Sequence, residues 1–247
     1  MFTLVGYNET YTGAATLDQV TPIADAHVRV EGNNIIVPPG MANLLGVYGL
    51  GSVLTQVRID TPRLRRMLLL DVEPFDTGAE PSSYPPLFNM FYSPIALDEA
   101  EPMRFLASAS GAGTVTGLIW LGDGVQSPVT GEIFTARATA AVTCTTGAWT
   151  NGALTFDQTL PAGRYQCVGM RAYGAGLAAA RLVFVGQSWR PGCIGFDAYG
   201  DVDHAIFRRG ASGIWGEFTH DQPPTVDFLA VASTSSEVVY LDLIKVA

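Results

Sequence analysis

The sequence predicts an all-β chain of two tandem eight-stranded sandwiches packed side by side, and three observations predict it. The chain repeats itself: Pro38, Gly40, Gly46, Gly51, Leu54 and Arg58 recur as Pro161, Gly163, Gly169, Gly174, Leu177 and Arg181, each 123 positions on. The same displacement carries Phe105-Leu106-Ala107, Ala109-Ser110, Val115 and Leu118 onto Phe228-Leu229-Ala230, Ala232-Ser233, Val238 and Leu241 without a gap. Chance matches scatter over many displacements, so one shared displacement indicates duplication. Apolar residues alternate with polar ones at period two, and helical spacing is scarce. Short apolar runs are punctuated by 27 Gly and 15 Pro, the pattern of sandwiches and barrels. Domains 1–124 and 125–247 follow, joined by the turn-rich stretch 122–128 with no long linker.

In chain order, the first copy offers strands at 26–31, 34–37, 42–48, 53–60, 66–72, 87–92, 104–109 and 115–121. The clearest is 53–60, where Val53, Thr55, Val57 and Ile59 share one face and Gln56, Arg58 and Asp60 the other. In the second copy 133–144, 153–156, 164–172, 178–185, 193–196, 204–207, 226–232 and 238–246 take the same part. One helical turn is expected at 97–101, ended by Pro102; 175–180 reads as helix or strand. Stretches 74–86, 197–203 and 208–224 are expected as exposed loops at one end of the molecule, because loops diverge most freely between copies.

Composition narrows the function. Net charge is −9 and charged residues are 15% of the chain, against roughly 25% in an average soluble domain. Of fourteen basic residues only Lys245 is a lysine, the side chain that usually keeps protein surfaces hydrated and apart. Neutral surface on this scale ends up against another subunit, so an assembly component is expected. The acidic balance argues against a chain whose task is gripping nucleic acid. Three cysteines, an odd number without paired spacing, fit a reducing compartment. Met1 to Gly6 lacks the basic start of an export leader. The charge-free stretch 32–57 is broken by Asn33, Asn34, Pro38 and Pro39, so it reads as strands and turns, not a membrane helix.

Few residues suggest chemistry. Asp197, Asp201, Asp203 and His204 form the densest oxygen and imidazole cluster, a weak candidate for calcium or a transition metal, with a solvated acidic turn as the plainer reading. There is no Gly-x-Ser-x-Gly, and His27, His204 and His220 stand beside no diagnostic partner. A single lysine near the end of the sequence leaves no phosphate-binding Gly-Lys-Ser/Thr loop. No cofactor and no enzymatic activity are therefore expected. Arg63, Arg65 and Arg66, with the smaller pair Arg208 and Arg209, read as subunit contacts to carboxylates, as groups facing an anionic interior such as lipid head groups or genome, or as charged edges that block strand pairing. Trp120, Trp149, Trp189 and Trp215 are scattered as core or interface fillers and make no row for stacking sugars.

Two fused sandwiches, poor in lysine and without a catalytic set, resemble the double jelly-roll major capsid proteins of the adenovirus-like lineage. The compact type found in tailless, membrane-containing bacteriophages is the narrower likeness. The resemblance spans the chain through the repeat of 38–118 in 161–241 and rests on no family motif, so no site residue carries over. It implies jelly-roll strand order and a homotrimer whose six barrels give a pseudo-hexagonal outline and tile an icosahedral shell by self-assembly. It also implies a virion protein assembled in the host cytoplasm, with other virion proteins at the vertices and an internal membrane as further partners, and no sequence-specific nucleic acid. It places tower loops at 74–86 and 208–224 and sets Met1 to Tyr11 near the inner face. Two alternatives come from other classes. One is a carbohydrate-binding or spike-like β-sandwich; the other is a β-sandwich or cupin-like hydrolase, marked by metal at Asp201, Asp203 or His204.

Overall fold

A computed structural model of the chain describes residues 1–67, 70–82, 86–197, 204–232 and 236–246. It divides into two compact units, Thr3–Glu80 with Pro85–Val125, and Gln126–Ala247 with Met1–Phe2 and Pro81–Tyr84.

The first unit runs β1 (Phe2–Tyr11), β2 (Ala15–Val20), β3 (Val30–Glu31), β4 (Asn34–Ile36), β5 (Asn43–Leu50), β6 (Leu54–Asp60), α1 (Pro62–Met67), β7 (Leu70–Val72), β8 (Phe88–Asn89), β9 (Ile95–Ala96), β10 (Pro102–Ala109) and β11 (Gly113–Gly122). One sheet has the order β1-β11-β5-β8 and the other carries β2-β10-β6-β7. Counting these eight strands from 1 to 8, the sheets read 1-8-3-6 and 2-7-4-5, which is jelly-roll order. The hairpin β3–β4 joins β10, and β9 joins β5. Val5, Tyr7, Val47, Val57, Ile59, Phe105 and Ile119 close the core between the sheets.

The second unit runs β12 (Phe134–Ala140), β13 (Trp149–Gly152), β14 (Thr155–Phe156), β15 (Arg164–Tyr173), β16 (Leu177–Val183), β17 (Gly192–Phe196), a 3-10 turn (Ala205–Phe207), β18 (Gly216–Thr219), β19 (Thr225–Ala230) and β20 (Glu237–Lys245). With β14 set aside, its strands repeat both orders, β12-β20-β15-β18 and β13-β19-β16-β17. A parallel pairing of Ala172 with Gly195 and Tyr173 with Phe196 merges the two into one nine-stranded sheet. Tyr165, Val168, Leu182, Ile194, Phe228 and Leu241 fill the core.

The repeat displacement maps β6 onto β16 end to end, and β5, β10 and β11 fall on β15, β19 and β20 to within two residues. The repeated glycines have a shared cause. Gly51 N–H donates to the Asp76 carbonyl and Gly174 N–H to the Phe196 carbonyl, each at 3.0 Å. A Cβ at Gly51 would press on the Thr114 carbonyl at 2.9 Å, and one at Gly174 would collide with the Glu237 carboxylate. Thr114 and Glu237 are themselves repeat mates, so the same corner is built twice with room only for glycine.

The structure departs from the sequence reading at several elements. Met1 to Tyr11, set near the inner face by the resemblance and not among the expected strands, contains the largely buried strand β1. The strand expected at 66–72 is instead the end of α1 followed by β7, and 204–207 is a 3-10 turn, not a strand. The helical turn at 97–101 is not formed, and 26–31 shrinks to β3. Stretch 208–224 is no free loop: it holds β18 and the fully buried Trp215. Positions 83–85 of the proline-rich stretch and Ser233 of the repeat lie outside the described residues. Among the described residues no helix is long and apolar enough to cross a membrane.

Candidate functional site

The first arginine cluster lies on α1. Thr61 caps this helix, its hydroxyl accepting from Leu64 N–H at 3.1 Å, and Pro62 opens it without wasting a donor. Arg63 Nη1 and Arg66 Nη2 share the Asp98 carboxylate, at 2.7 and 2.6 Å. The Arg63 hydrogen bond holds the Asp98 carboxyl below the usual range. Buried Glu101 accepts from Arg63 N–H at 2.9 Å and Asp98 N–H at 3.0 Å, tying helix to loop. Arg65 and Arg104 both pair with buried Asp60. Thr61→Ala is expected to cost about 1 kcal/mol, the worth of a cap, in a urea melt, whereas Arg66→Ala leaves the midpoint unchanged because its pair is solvent-screened.

The second cluster is built around a buried carboxylate. Asp242 on β20 receives Arg208 Nε at 2.8 Å and Nη2 at 3.1 Å, the Thr135 hydroxyl at 2.7 Å and Arg209 N–H at 2.7 Å. Burial pushes the Asp242 carboxyl up, but the Arg208 and Thr135 bonds outweigh it and hold the group below the ordinary range. Gly169 faces this knot: a Cβ there would lie 2.8 Å from the Phe207 carbonyl oxygen and 2.9 Å from Arg209 N. Arg208 and Arg209 thus brace their own unit, a role not legible in the dipeptide.

Of the metal candidates, Asp201 and Asp203 lie outside the described residues. Asp197 accepts from Gly176 N–H at 3.1 Å, and the His204 ring packs on Phe207 at 5.7 Å, its imidazole held below the usual range by burial. Among the described residues no group of three or more His, Cys, Asp and Glu converges. His27 N–H donates to Asp25, in a turn and not the strand expected there. His220 Nδ1 accepts from Gly163 N–H at 3.4 Å. All three cysteines are buried and outside any disulfide, and burial pushes the Cys167 thiol up to about 12.

The repeated arginine pair Arg58 and Arg181 sits at matching places on β6 and β16 with different partners. Arg58 grips Asp71 on β7 through Nε at 2.5 Å and Nη2 at 3.1 Å. Arg181 is buried, bonded to Asp227 at 3.0 Å and lying 4.0 Å beneath the Trp149 ring, while Asn151 donates to the other Asp227 oxygen at 2.8 Å. Sequence reasoning found both arginines through the repeat but not Asp71, Asp227 or Asp242, which lie 13, 46 and 34 positions from the arginines they hold. These arrangements tie neighbouring strands of one sheet, and their charges cancel locally.

No family model matches the chain, and no curated protein matches it. Among solved structures, the chain is similar to the major capsid protein P2 from bacteriophage PM2, at 12% identity and a TM-score of 0.28, over 100% of this chain and 98% of that one.

Proposed function

We propose that this chain is the main structural subunit of a viral shell, a non-enzymatic protein whose copies join as homotrimers and tile an icosahedral capsid. The carrying observation is that one chain holds the same eight-strand order twice, with four of the equivalent strand pairs on one displacement to within two residues. A threefold trimer of such a chain presents six similar barrels, so it meets neighbours with sixfold-like contacts on a surface lattice. We read 1–124 and 125–247 as the two copies. Internal pairing of the arginines supports the same reading, since mostly neutral flanks pack without the desolvation cost of charges. In this reading Arg63, Arg65 and Arg66 reach carboxylates of a neighbouring chain beyond their own pairs, while Arg208 and Arg209 stiffen the second barrel. The virion is the site of action, assembly takes place in the host cytoplasm, and vertex proteins and an underlying membrane are further partners. Light scattering is expected to give three times the chain mass at micromolar concentration, and negative-stain microscopy hexagonal particles. A monomer throughout would defeat the proposal.

A further inference from the structure

In each unit the segment after the second strand closes the free edge of the first. In the first unit Ile23 N–H donates to the Gly6 carbonyl and Asn8 N–H to the Thr21 carbonyl, both at 2.9 Å. In the second, Asp157 N–H donates to the Arg137 carbonyl at 3.0 Å, continuing the pairing of β14 with Ala138 and Thr139. These bonds equate Gly6 with Arg137, and hence Thr3, Leu4 and Val5 with Phe134, Thr135 and Ala136. Their surroundings differ sharply. Thr3, Leu4 and Val5 are 4%, 0% and 1% exposed, whereas Phe134 is 37% exposed and Thr135 is also open.

Beside the open stretch lies a cavity of about 510 Å³, floored by Phe134, Leu160 and Tyr165 and rimmed by Arg137, Asp157 and Lys245. Among the described residues β14 is the strand on this side of β12, and the bonding of its segment ends at Arg137. Backbone groups alternate in direction along a strand, so Thr135 N–H and C=O point the same way as the Arg137 carbonyl, toward the groove. An apolar floor beside an uncovered strand edge is the arrangement that accepts an added extended segment.

We propose that this groove docks a second copy of this chain, which lays an extended segment along Phe134–Ala136 and sets a carboxylate near Lys245. Two features select that occupant. The duplication makes the groove the counterpart of a strand start that is sealed within the chain, so a like copy supplies the missing cover in head-to-tail fashion, a contact that closes rings. The chain carries a net charge of −9, so every copy brings surplus carboxylates to the one lysine. The inference rests on the shell reading and names the contact that joins its subunits.

Sedimentation velocity over a concentration series tests it with wild type, Lys245→Glu and Phe134→Glu. Each variant is expected to raise the concentration for half-assembly by at least about tenfold, equivalent to about 1.4 kcal/mol, with unchanged circular dichroism and melting. Wild-type trimers accompanied by folded variants that assemble equally well overturn the docking site and leave the shell reading standing. Wild type that stays monomeric overturns both. If Phe134→Glu fails to fold, the exposed Lys245→Glu variant decides alone.

Discussion

Gly210→Val is expected to destabilise the second unit by at least about 3 kcal/mol, combining left-handed strain with a backbone clash. Gly210 has φ +81°, and a Cβ there would run into the Val129 carbonyl. Its own N–H donates to Val168 at 2.6 Å and its carbonyl accepts from Val129 N–H at 2.8 Å, so the chain cannot swing aside without breaking both bonds. This turn carries Trp215, whose indole donates to Ser212 at 2.9 Å and whose ring meets Phe207 at 6.4 Å. Urea unfolding followed by tryptophan fluorescence reads the effect. Gly186→Ala, at φ +77° with open space around it, should cost only the conformational part, about 1 kcal/mol. Equal midpoints for the two variants would refute the assigned clash.

Asp242→Ala should cost about 3–5 kcal/mol at neutral pH, the penalty for stranding the partner of a buried ion pair. Arg208, the Thr135 hydroxyl and Arg209 N–H would all lose their acceptor. The pH dependence has a definite sign. Because the folded carboxyl is held below its ordinary value, the stabilisation is complete above the unfolded pKa of about 4 and fades as pH falls through the folded one. The gap between wild type and variant in chemical denaturation should therefore be widest at neutral pH and narrow below about pH 4. A gap that stays constant down to acid would show that the knot contributes through packing, not charge.

The sequence disclosed these units where the physics is local or periodic. Strand β6, with Val57 and Ile59 inward and Gln56 and Arg58 outward, is an alternating strand and was visible as one. Its echo β16 was harder, because Leu177-Ala178-Ala179-Ala180 is buried on both faces and has helix-forming composition; the repeat, not the pattern, decides for strand. Strand β1 was hidden because Phe2 to Tyr7 is continuously buried and shows no alternation. Strands β13 (Trp149–Gly152) and β18 (Gly216–Thr219) are four residues each and contain glycine, so tertiary pairing outweighs their weak propensity. The start of α1 is written in Thr61-Pro62, a cap followed by a proline at the first helical position, but the apolar run after Arg66 points to a strand and masks it. The arginine clusters stood out as charge, but Asp60, Asp98 and Asp242, which decide what the arginines do, lie far from them in the chain or are approached only through the fold. No periodicity marks such partners.

Phe2 is counted with the second unit and stacks edge-on against Trp215 at 5.2 Å, although the strand it opens belongs to the first. Translation delivers Phe2 long before Trp215 leaves the ribosome. Until then the leading end of β1 has no resting place, and its apolar face stays available to chaperones or to stray chains. Phe2 is thus made long before the ring that packs against it, so its burial waits on synthesis of Trp215.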